Sequence, residues 1–342
     1  MLRPLYATPL AAAINLAALA LLIWAAPPIL DWAIFSAVWV GDDMDSCPPG
    51  SGACWAFIHA KMRLILFGRY IFDEQWRAVL ATVLLSGLVA LSLNPLFWRA
   101  WLAAAWICGL AAYAILMWGG IFGLVYIDSS YWGGLPLTVL LTIFGTGFGI
   151  LAAIPLALGR FSRLPVFRAV ATFYIELVRG VPLISVLFMA SVLIPVILPQ
   201  GFAPSGLARV LLGISFFIAA YMAEILRGGL QAIPAGQFEA SRALGLSYFA
   251  MMTRVVLPQV FEIVLPPTVN LIIAALKGTS LVVIVSMLDL LGAAKAALAD
   301  PKWIGYYVEA FVFAALIYAI MCGSIGWYGR RVEGKLRRAR SQ

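Results

Sequence analysis

The apolar residues of this chain fall in long blocks, and this feature limits its possible folds more than any other. Of the 342 residues, 64% are hydrophobic and only 11% are charged. A surface of that composition does not stay dissolved in water, which excludes a soluble globular domain. The blocks also lack the strict alternation of polar and apolar residues that a barrel strand needs, so they predict membrane-spanning helices.

Windows of about 20 apolar residues, enough for one helical crossing, predict an all-α polytopic membrane protein with about eight spans. The predicted spans are 10–30, 77–97, 100–118, 135–158, 181–199, 207–226, 259–276 and 305–327. An even number of spans places both termini on the same side. The first run follows one basic residue and precedes no small-residue cleavage signal, so we expect a retained span and not a signal peptide.

The distribution of Lys and Arg predicts that both termini are cytoplasmic, because basic residues concentrate in the cytoplasmic loops of membrane proteins. Of the 23 basic residues, fifteen then lie in cytoplasmic loops and tails: Arg3, Arg99, Arg160, Arg163, Arg168, Arg179, Arg227, Arg242, Arg254, Arg330, Arg331, Lys335, Arg337, Arg338 and Arg340. The opposite side receives the acidic cluster Asp42, Asp43 and Asp45. The net charge of +8 therefore needs no nucleic-acid partner. The basic tail contacts anionic lipid head groups or, alternatively, docks a protein.

The spans divide the chain into two unequal parts. Residues 1–134 hold three spans and a long outer segment, 31–76, rich in aromatic residues that suit the head-group level. Residues 135–328 hold five spans and the one long cytoplasmic loop, 227–258, and a basic tail follows at 329–342.

Two pairs of small residues suggest local structure. Cys47 and Cys54 lie in "CPPGSGAC" on the predicted outer side, where they form a disulfide or remain two free thiols. Gly145 and Gly149 form a GxxxG pair within a span, which lets a neighbouring helix approach closely. Cys108 and Cys322, which lie within predicted spans, are interpreted as small packing residues.

No constellation for catalysis or metal binding is present in the sequence. The single histidine, His59, cannot build a metal cluster, and no Ser-His-Asp set or phosphate-binding GxxxxGK[ST] motif occurs. We therefore expect no enzyme activity and no cofactor in this chain. If the protein uses ATP, another chain must bind it.

The segment Gln237 to Gln259, "QFEASRALGLSYFAMMTRVVLPQ", is polar enough for water although apolar runs flank it on both sides. Its first half predicts a short helix of small residues, with Glu239 near the N-terminus, where the helix dipole favours an anion. Such a low-relief helix fits a groove on a partner, with Glu239 and Arg242 available at the edge. The alternative is an amphipathic helix that lies on the membrane surface, but such a helix needs a polar face rich in Lys and Arg.

The spacing of this segment resembles the EAA signature of the membrane subunits of ABC importers. Glu239-Ala240-Ser241 is followed after three residues by Gly245, and after nine more by Val255-Val256-Leu257-Pro258. The family pattern is EAA, three residues, G, nine residues, I-x-LP. Ser241 and Val255 are mild departures from it.

Other segments are similar to one branch of that family, the permeases for polar amino acids. These are "RGVPL" at Arg179–Leu183, "AEILRGGLQAIPAGQFEA" at Ala223–Ala240 and "LPPTVNLIIAALKGTSL" at Leu265–Leu281. The stretch Gly52–Arg77 resembles the N-terminal extension of broad-specificity L-amino-acid permeases of Gram-negative bacteria. The resemblance thus implies a five-span type I importer core preceded by three extra spans.

The resemblance also implies partners and site residues. We expect an inner-membrane permease that pairs with a second homologous permease, an ABC ATPase homodimer using ATP and Mg²⁺, and a periplasmic amino-acid-binding protein. The coupling helix would span roughly 236–246. The residues expected to couple to the ATPase are Gly236, Gln237, Glu239, Ala240, Ser241, Arg242, Gly245, Leu257 and Pro258.

The expected substrate pathway centres on Asp289, since an ionisable group in an apolar run suggests a functional site. Lys277, Thr279 and Ser280 precede it. Asp289 could instead pair with Lys295 or lie in an aqueous loop. Two i, i+3 pairs, Glu224 with Arg227 and Glu176 with Arg179, are interpreted as structural or gate-supporting. An ion-coupled secondary transporter is the alternative function, but the EAA-like segment would have no task in it.

Overall fold

The structure is a computed structural model, and it describes residues 8–41, 43–48, 50–162, 164–199 and 202–340. Arg3, Asp42 and Arg163 lie outside the described residues. Within that part of the chain the fold is helical without β-strands, as predicted. The helices are α1 Pro9–Leu30, α2 Trp55–Phe67, α3 Gln75–Ser92, α4 Ala100–Trp118, α5 Gly134–Arg160, α6 Pro165–Gly180, α7 Leu183–Ile197, α8 Gly206–Gln231, α9 Ala235–Ala243, α10 Tyr248–Met251, α11 Leu257–Gly278, α12 Leu290–Ala297 and α13 Tyr307–Arg340.

Seven stretches among the described residues are long and apolar enough to cross a membrane, and a bent helix pair makes up to eight. Each predicted span coincides with one of these stretches or with the bent pair. The predicted all-α fold with about eight spans is confirmed.

The span predicted at 181–199 is a shorter helix than expected, and a helix that we did not predict precedes it. Helix α6 lies where the sequence suggested only a cytoplasmic loop, and α6 and α7 are bent by 109° at the break between them. The break has a local cause. Pro182 has no N–H and disfavours helical backbone in the residue before it, and Val181 is accordingly extended with φ −107° and ψ 134°.

Two other helix ends differ from the prediction. Helix α3 stops at Ser92 and not at residue 97, because the Asn94 side chain accepts a hydrogen bond from the Leu96 N–H at 3.1 Å and forms a turn. Helix α13 does not stop at residue 327. It continues to Arg340, so the basic tail predicted at 329–342 is a helical extension of the last span through that residue.

The described chain separates into two compact units, and the first comprises the chain up to Met62 together with Lys295–Phe313. Its core is aromatic, with the Phe57 ring centroid 5.9 Å from that of Trp303. An ion pair between Lys61 and Asp300 lies in the same unit. The Lys61 ammonium donates to the Asp300 carboxylate and thereby holds the pKa of that carboxyl below its usual value.

The second unit comprises Arg63–Ala294 and Ala314–Gln342, and its centre is the crossing of α5 and α8. A Cβ built on Gly145 would lie 2.5 Å from Ile214 Cγ2, and one on Gly149 would lie 2.6 Å from Ile218 Cγ2. Real side chains do not approach so closely, so glycine is required at both positions. The GxxxG pair therefore packs α5 against α8, as the sequence predicted.

Candidate functional site

Helix α9 covers the segment in which the coupling helix was expected, and its end depends on Gly245. The N–H of Leu246 donates to the Ser241 carbonyl at 3.1 Å, and the N–H of Gly245 donates to the Arg242 carbonyl at 2.9 Å. These two bonds define a Schellman motif, which needs a left-handed residue just after the helix. Gly245 supplies it with φ +69°. The glycine of the motif is thus a helix terminator, and nothing lies within 4 Å of a Cβ built there.

One side of α9 rests on an apolar platform, which consists of Ile233, Met251, Val256, Val260 and Val264. Phe238 and Leu246 pack against this platform from the two ends of the helix. Ser241 faces the same side and is buried, and its hydroxyl donates to the Gln237 carbonyl at 2.7 Å. A small polar residue is accommodated at this position because it satisfies its own hydrogen bond within the helix. The packing fixes α9 to the ends of its neighbouring helices.

The opposite side of α9 is exposed. Its polar and small residues are Gly236, Gln237, Glu239, Ala240 and Arg242. Three large apolar side chains lie beside them and are also largely exposed: Leu244 by 79%, Tyr248 by 74% and Phe249 by 77%. This combination of a flat helix face with exposed apolar neighbours is the surface that a protein partner would cover.

The segment returns to the next span through a π-helical turn, Met252–Val256, which runs directly into α11. Pro258 lies in the first turn of α11, where a missing N–H is tolerated. The Leu257–Pro258 pair of the motif therefore marks the start of α11. The Gln259 side chain, one residue further on, donates to the Gln237 side-chain oxygen at 3.2 Å and ties α11 to α9.

Charged residues gather where α5, α6 and α8 end near the start of this segment. Arg227 donates to both Glu224 carboxylate oxygens, at 2.9 and 2.5 Å, so that predicted pair is present. Glu176, however, does not pair with Arg179 in the described structure. It accepts from Arg160 at 2.7 Å instead, while Arg179 approaches Glu224 at 3.6 Å. The i, i+3 spacing was misleading here because an arginine on another helix lies nearer.

The expected substrate-pathway residues are partly brought together. Asp289 is fully buried and precedes α12; its carboxylate accepts from the Gly292 N–H at 2.9 Å and from the Tyr318 hydroxyl at 2.7 Å. The Thr279 hydroxyl lies 3.3 Å from the same Tyr318 hydroxyl. Lys277 is exposed and Ser280 is half-buried, and the Ser280 hydroxyl donates to the Lys277 carbonyl at 2.9 Å. Asp289, Tyr318 and Thr279 thus form one buried polar cluster.

The two remaining candidate residues, Cys47 and Cys54, form a disulfide, the first of the alternatives left open by the sequence. The Cys54 N–H donates to the buried Glu309 carboxylate at 3.0 Å, in the first turn of α13. Cys108 lies in α4 and is exposed, and Cys322 lies in α13 and is half-buried. The described residues contain no group of three or more His, Cys, Asp and Glu side chains arranged to hold a metal ion.

Comparison with known proteins identifies the family. Residues 145–338 match the model of the binding-protein-dependent transport system inner membrane component. The chain belongs to this family. The matched range contains α9, Glu224 with the arginines around it, and Asp289. The first 144 residues lie before the matched range.

Individual relatives extend the likeness beyond the core. The inner membrane amino-acid ABC transporter permease YhdY of Escherichia coli is 42% identical, over 92% of this chain and 86% of its own length. The permease BztC of the glutamate/glutamine/aspartate/asparagine transport system of Rhodobacter capsulatus is 32% identical, over 99% of this chain and 93% of its own. The predicted likeness to amino-acid ABC permeases is therefore confirmed. Such permeases are not enzymes, since the ATPase is a separate subunit.

A solved structure gives the same family. The crystal structure of an amino acid ABC transporter with histidines contains a chain that is 29% identical to this one. The match has a TM-score of 0.54 and covers 59% of this chain and 92% of the other.

The two parts of the site that the sequence missed are both contacts between distant segments. They are the link from Arg160 to the Glu224 cluster and the bond from Tyr318 to Asp289, and no local pattern marks either.

Proposed function

We propose that this chain is the transmembrane subunit of an ATP-driven importer that takes up L-amino acids. It works with a second homologous permease, a homodimeric ABC ATPase that binds the ATP and Mg²⁺, and a periplasmic amino-acid-binding protein that delivers the substrate. Both termini lie in the cytoplasm. The amino-acid substrate class rests on the names of the relatives, which include a permease for glutamate, glutamine, aspartate and asparagine.

The observation that carries the proposal is the construction of α9. One face of the helix is anchored on the apolar platform, and the other presents Glu239 and Arg242 beside exposed Leu244, Tyr248 and Phe249. A helix held rigidly on one side transmits a push from a partner to the spans behind it better than a loose loop does. We assign the residues of this face to ATPase docking, with Gly245 and the Leu257–Pro258 pair shaping the segment.

Affinity purification of the tagged chain from its native host, with mass spectrometry of the proteins that co-purify, tests this assignment. We expect an ATPase and a second permease to co-purify with the wild type. Both should also co-purify with Ala235→Ser, a change at an exposed position of the same helix that lies outside the residues assigned to docking. The Glu239→Ala/Gly245→Val variant should lose the ATPase. If no ATPase co-purifies with the wild type even after mild crosslinking, a secondary transporter becomes the better account.

We further propose that the substrate passes the polar cluster around Asp289, with Lys277, Thr279 and Ser280 along the same path. Support comes from the burial of Asp289 between the apolar helices α11 and α12, because buried ionisable groups in membrane proteins usually serve a function. Asp289→Asn should reduce uptake at least about tenfold for some amino acids. Unchanged uptake of every amino acid tested would contradict the role.

A further inference from the structure

Three arginines converge on one carboxylate, that of Glu224. Arg227, on the same helix, holds it in a two-pronged fork. Arg160, the last residue of α5, donates to it at 3.1 Å, and Arg179, near the end of α6, lies at 3.6 Å. The Glu224 side chain is only 19% exposed. One side chain thus ties the ends of α5 and α6 to α8.

The other acid of the cluster has a much smaller part. Glu176 is 56% exposed on its side chain, and its contact in the cluster is the one with Arg160. The cluster therefore holds three guanidinium groups and two carboxylates, and the buried Arg179 Nε finds no hydrogen-bond partner in the described structure. Removing the Glu224 charge would leave three cations within a few ångströms of each other, whereas removing that of Glu176 would leave Glu224 in place.

The position of Glu224 in the chain connects this cluster to the coupling helix. Glu224 lies two turns before the end of α8, and only residues 232–234 separate α8 from α9. This connection is short and stiff, because Ile233 is buried in the platform and Pro234 has a fixed φ. Ile225 and Leu226, which follow Glu224 directly, pack against the same platform that supports α9. The last turns of α8 and the whole of α9 therefore share one support.

We propose that Glu224 is the positioning residue of the coupling helix. It locks the end of α8 to the ends of α5 and α6, so that a displacement of α9 by its partner moves three helices together. This inference rests on the proposed function, because it assigns a role to Glu224 within an ATP-driven cycle. Without the Glu224 charge, α9 still docks on the ATPase, but its movement is no longer passed to α5 and α6.

The test uses the assembled transporter in proteoliposomes and measures ATP hydrolysed per amino acid taken up. Glu224→Gln should raise this ratio at least about fivefold, the lower end of usual coupling factors, while the ATPase remains bound. Glu176→Gln, the matched control, should stay within about twofold of the wild type. Glu224→Asp keeps the charge and should recover part of the coupling. An unchanged ratio in Glu224→Gln, or equal effects of the two glutamine variants, would overturn the proposal.

Two provisions keep the result decisive. If Glu224→Gln does not assemble, Arg160→Gln cuts the α5 link and leaves the Arg227 fork, and a wild-type ratio in that variant overturns the inference. A wild type without ATP-driven uptake refutes the proposed function itself. A coupled wild type with an equally coupled Glu224→Gln refutes only the role of Glu224.

A distance measurement gives a readout that a general loss of stability would not mimic. Spin labels are placed at Ala235→Cys, an exposed position of α9 outside the assigned docking residues, and at exposed Leu158→Cys on α5, after Cys108 and Cys322 are replaced by alanine. The assembled wild type should give a narrow distance distribution that shifts on ATP binding. Glu224→Gln should give a broader distribution with a smaller shift, and an identical response would count against the proposal.

Discussion

Gly245 contributes to the proposed coupling helix, α9, through its backbone, since it has no side chain to contribute. Its φ of +69° ends α9 and turns Leu246 back onto the platform. Other L-residues avoid this conformation, because the Cβ approaches the backbone at a cost of about 1–2 kcal/mol, more for β-branched residues and less for asparagine. The family motif predicted a glycine at this position, and the hydrogen bonds that end α9 explain why a glycine is needed there.

Gly245→Val should therefore abolish coupled uptake or reduce it at least about tenfold, whereas Gly245→Asn should retain most of it. The asparagine variant adds a polar side chain of similar size and still accepts a left-handed backbone. Uptake by cells that express each variant, normalised to the amount of protein in the membrane, is the measurement. Equal defects in the two variants would mean that side-chain bulk and not backbone conformation is responsible.

In the buried polar cluster, a single residue, Tyr318, supplies a key contact: its hydroxyl donates to the Asp289 carboxylate at 2.7 Å. Tyr318→Phe removes that donor and should destabilise the protein by about 1–3 kcal/mol, the cost of a buried polar group that loses a partner. Tyr307→Phe on the same helix is the control, since Tyr307 is 53% exposed. Thermal unfolding in detergent should show a lower midpoint for Tyr318→Phe alone. Equal midpoints in all three proteins would contradict the importance of this bond.

At the scale of helices, the contact between α5 and α8 determines how closely the core spans pack. Gly149 lies directly against α8, and a Cβ there would also come within 3.0 Å of the Ser215 carbonyl oxygen. Gly147 lies on the same helix two residues earlier and has no atom within 4 Å of a Cβ. The chain thus contains its own matched control for helix packing.

Gly149→Ala should destabilise the protein by about 1–3 kcal/mol through overpacking, whereas Gly147→Ala should leave stability unchanged or raise it by up to about 1 kcal/mol, because alanine is the better helix former. Thermal unfolding monitored by size-exclusion chromatography would compare them. The packing account fails if the two alanine variants melt at the same temperature as the wild type.

The helices also show where sequence patterns suffice and where they do not. Long apolar runs predicted the spans, because a helix that faces lipid on most sides must be apolar along its whole length. Helix α6 was missed because its apolar residues recur with helical period but do not form a continuous run: Val166, Val170, Phe173 and Leu177 are exposed on one face. A search for amphipathic periodicity, together with Pro165 at the first turn, would have found it.

For the molecule as a whole, the family core and the preceding region raise different questions. Of the residues that matched the motif, Glu239, Ala240 and Ser241 lie in α9, Gly245 follows its end, and Leu257 and Pro258 begin α11. Contacts such as Arg160 with Glu224 depend on tertiary packing and could not be read from local spacing. The division at residue 134 and the sidedness of the termini stay predictions.

The disulfide-linked unit gives a prediction at the same scale. Cys47 and Cys54 close a loop of eight residues, and a loop of that length gains about 2–3 kcal/mol from its crosslink in the chain-entropy model. Cys47→Ser/Cys54→Ser should therefore make this unit, the chain up to Met62 and Lys295–Phe313, more sensitive to limited proteolysis, with the fragmentation of Arg63–Ala294 unchanged. A Cys108→Ser variant is the control for the loss of a thiol. Identical cleavage of all three proteins would contradict a stabilising role.

We propose that this permease imports amino acids with energy from ATP bound by a partner. The most direct measurement is uptake of labelled amino acids into proteoliposomes that contain the purified complex. The binding protein and substrate are added on the side of the membrane opposite α9, and ATP is supplied on the α9 side. We predict uptake that requires hydrolysable ATP and is unaffected when proton and sodium gradients are collapsed. Uptake that proceeds without ATP and stops when those gradients are collapsed would contradict the account and favour a secondary transporter.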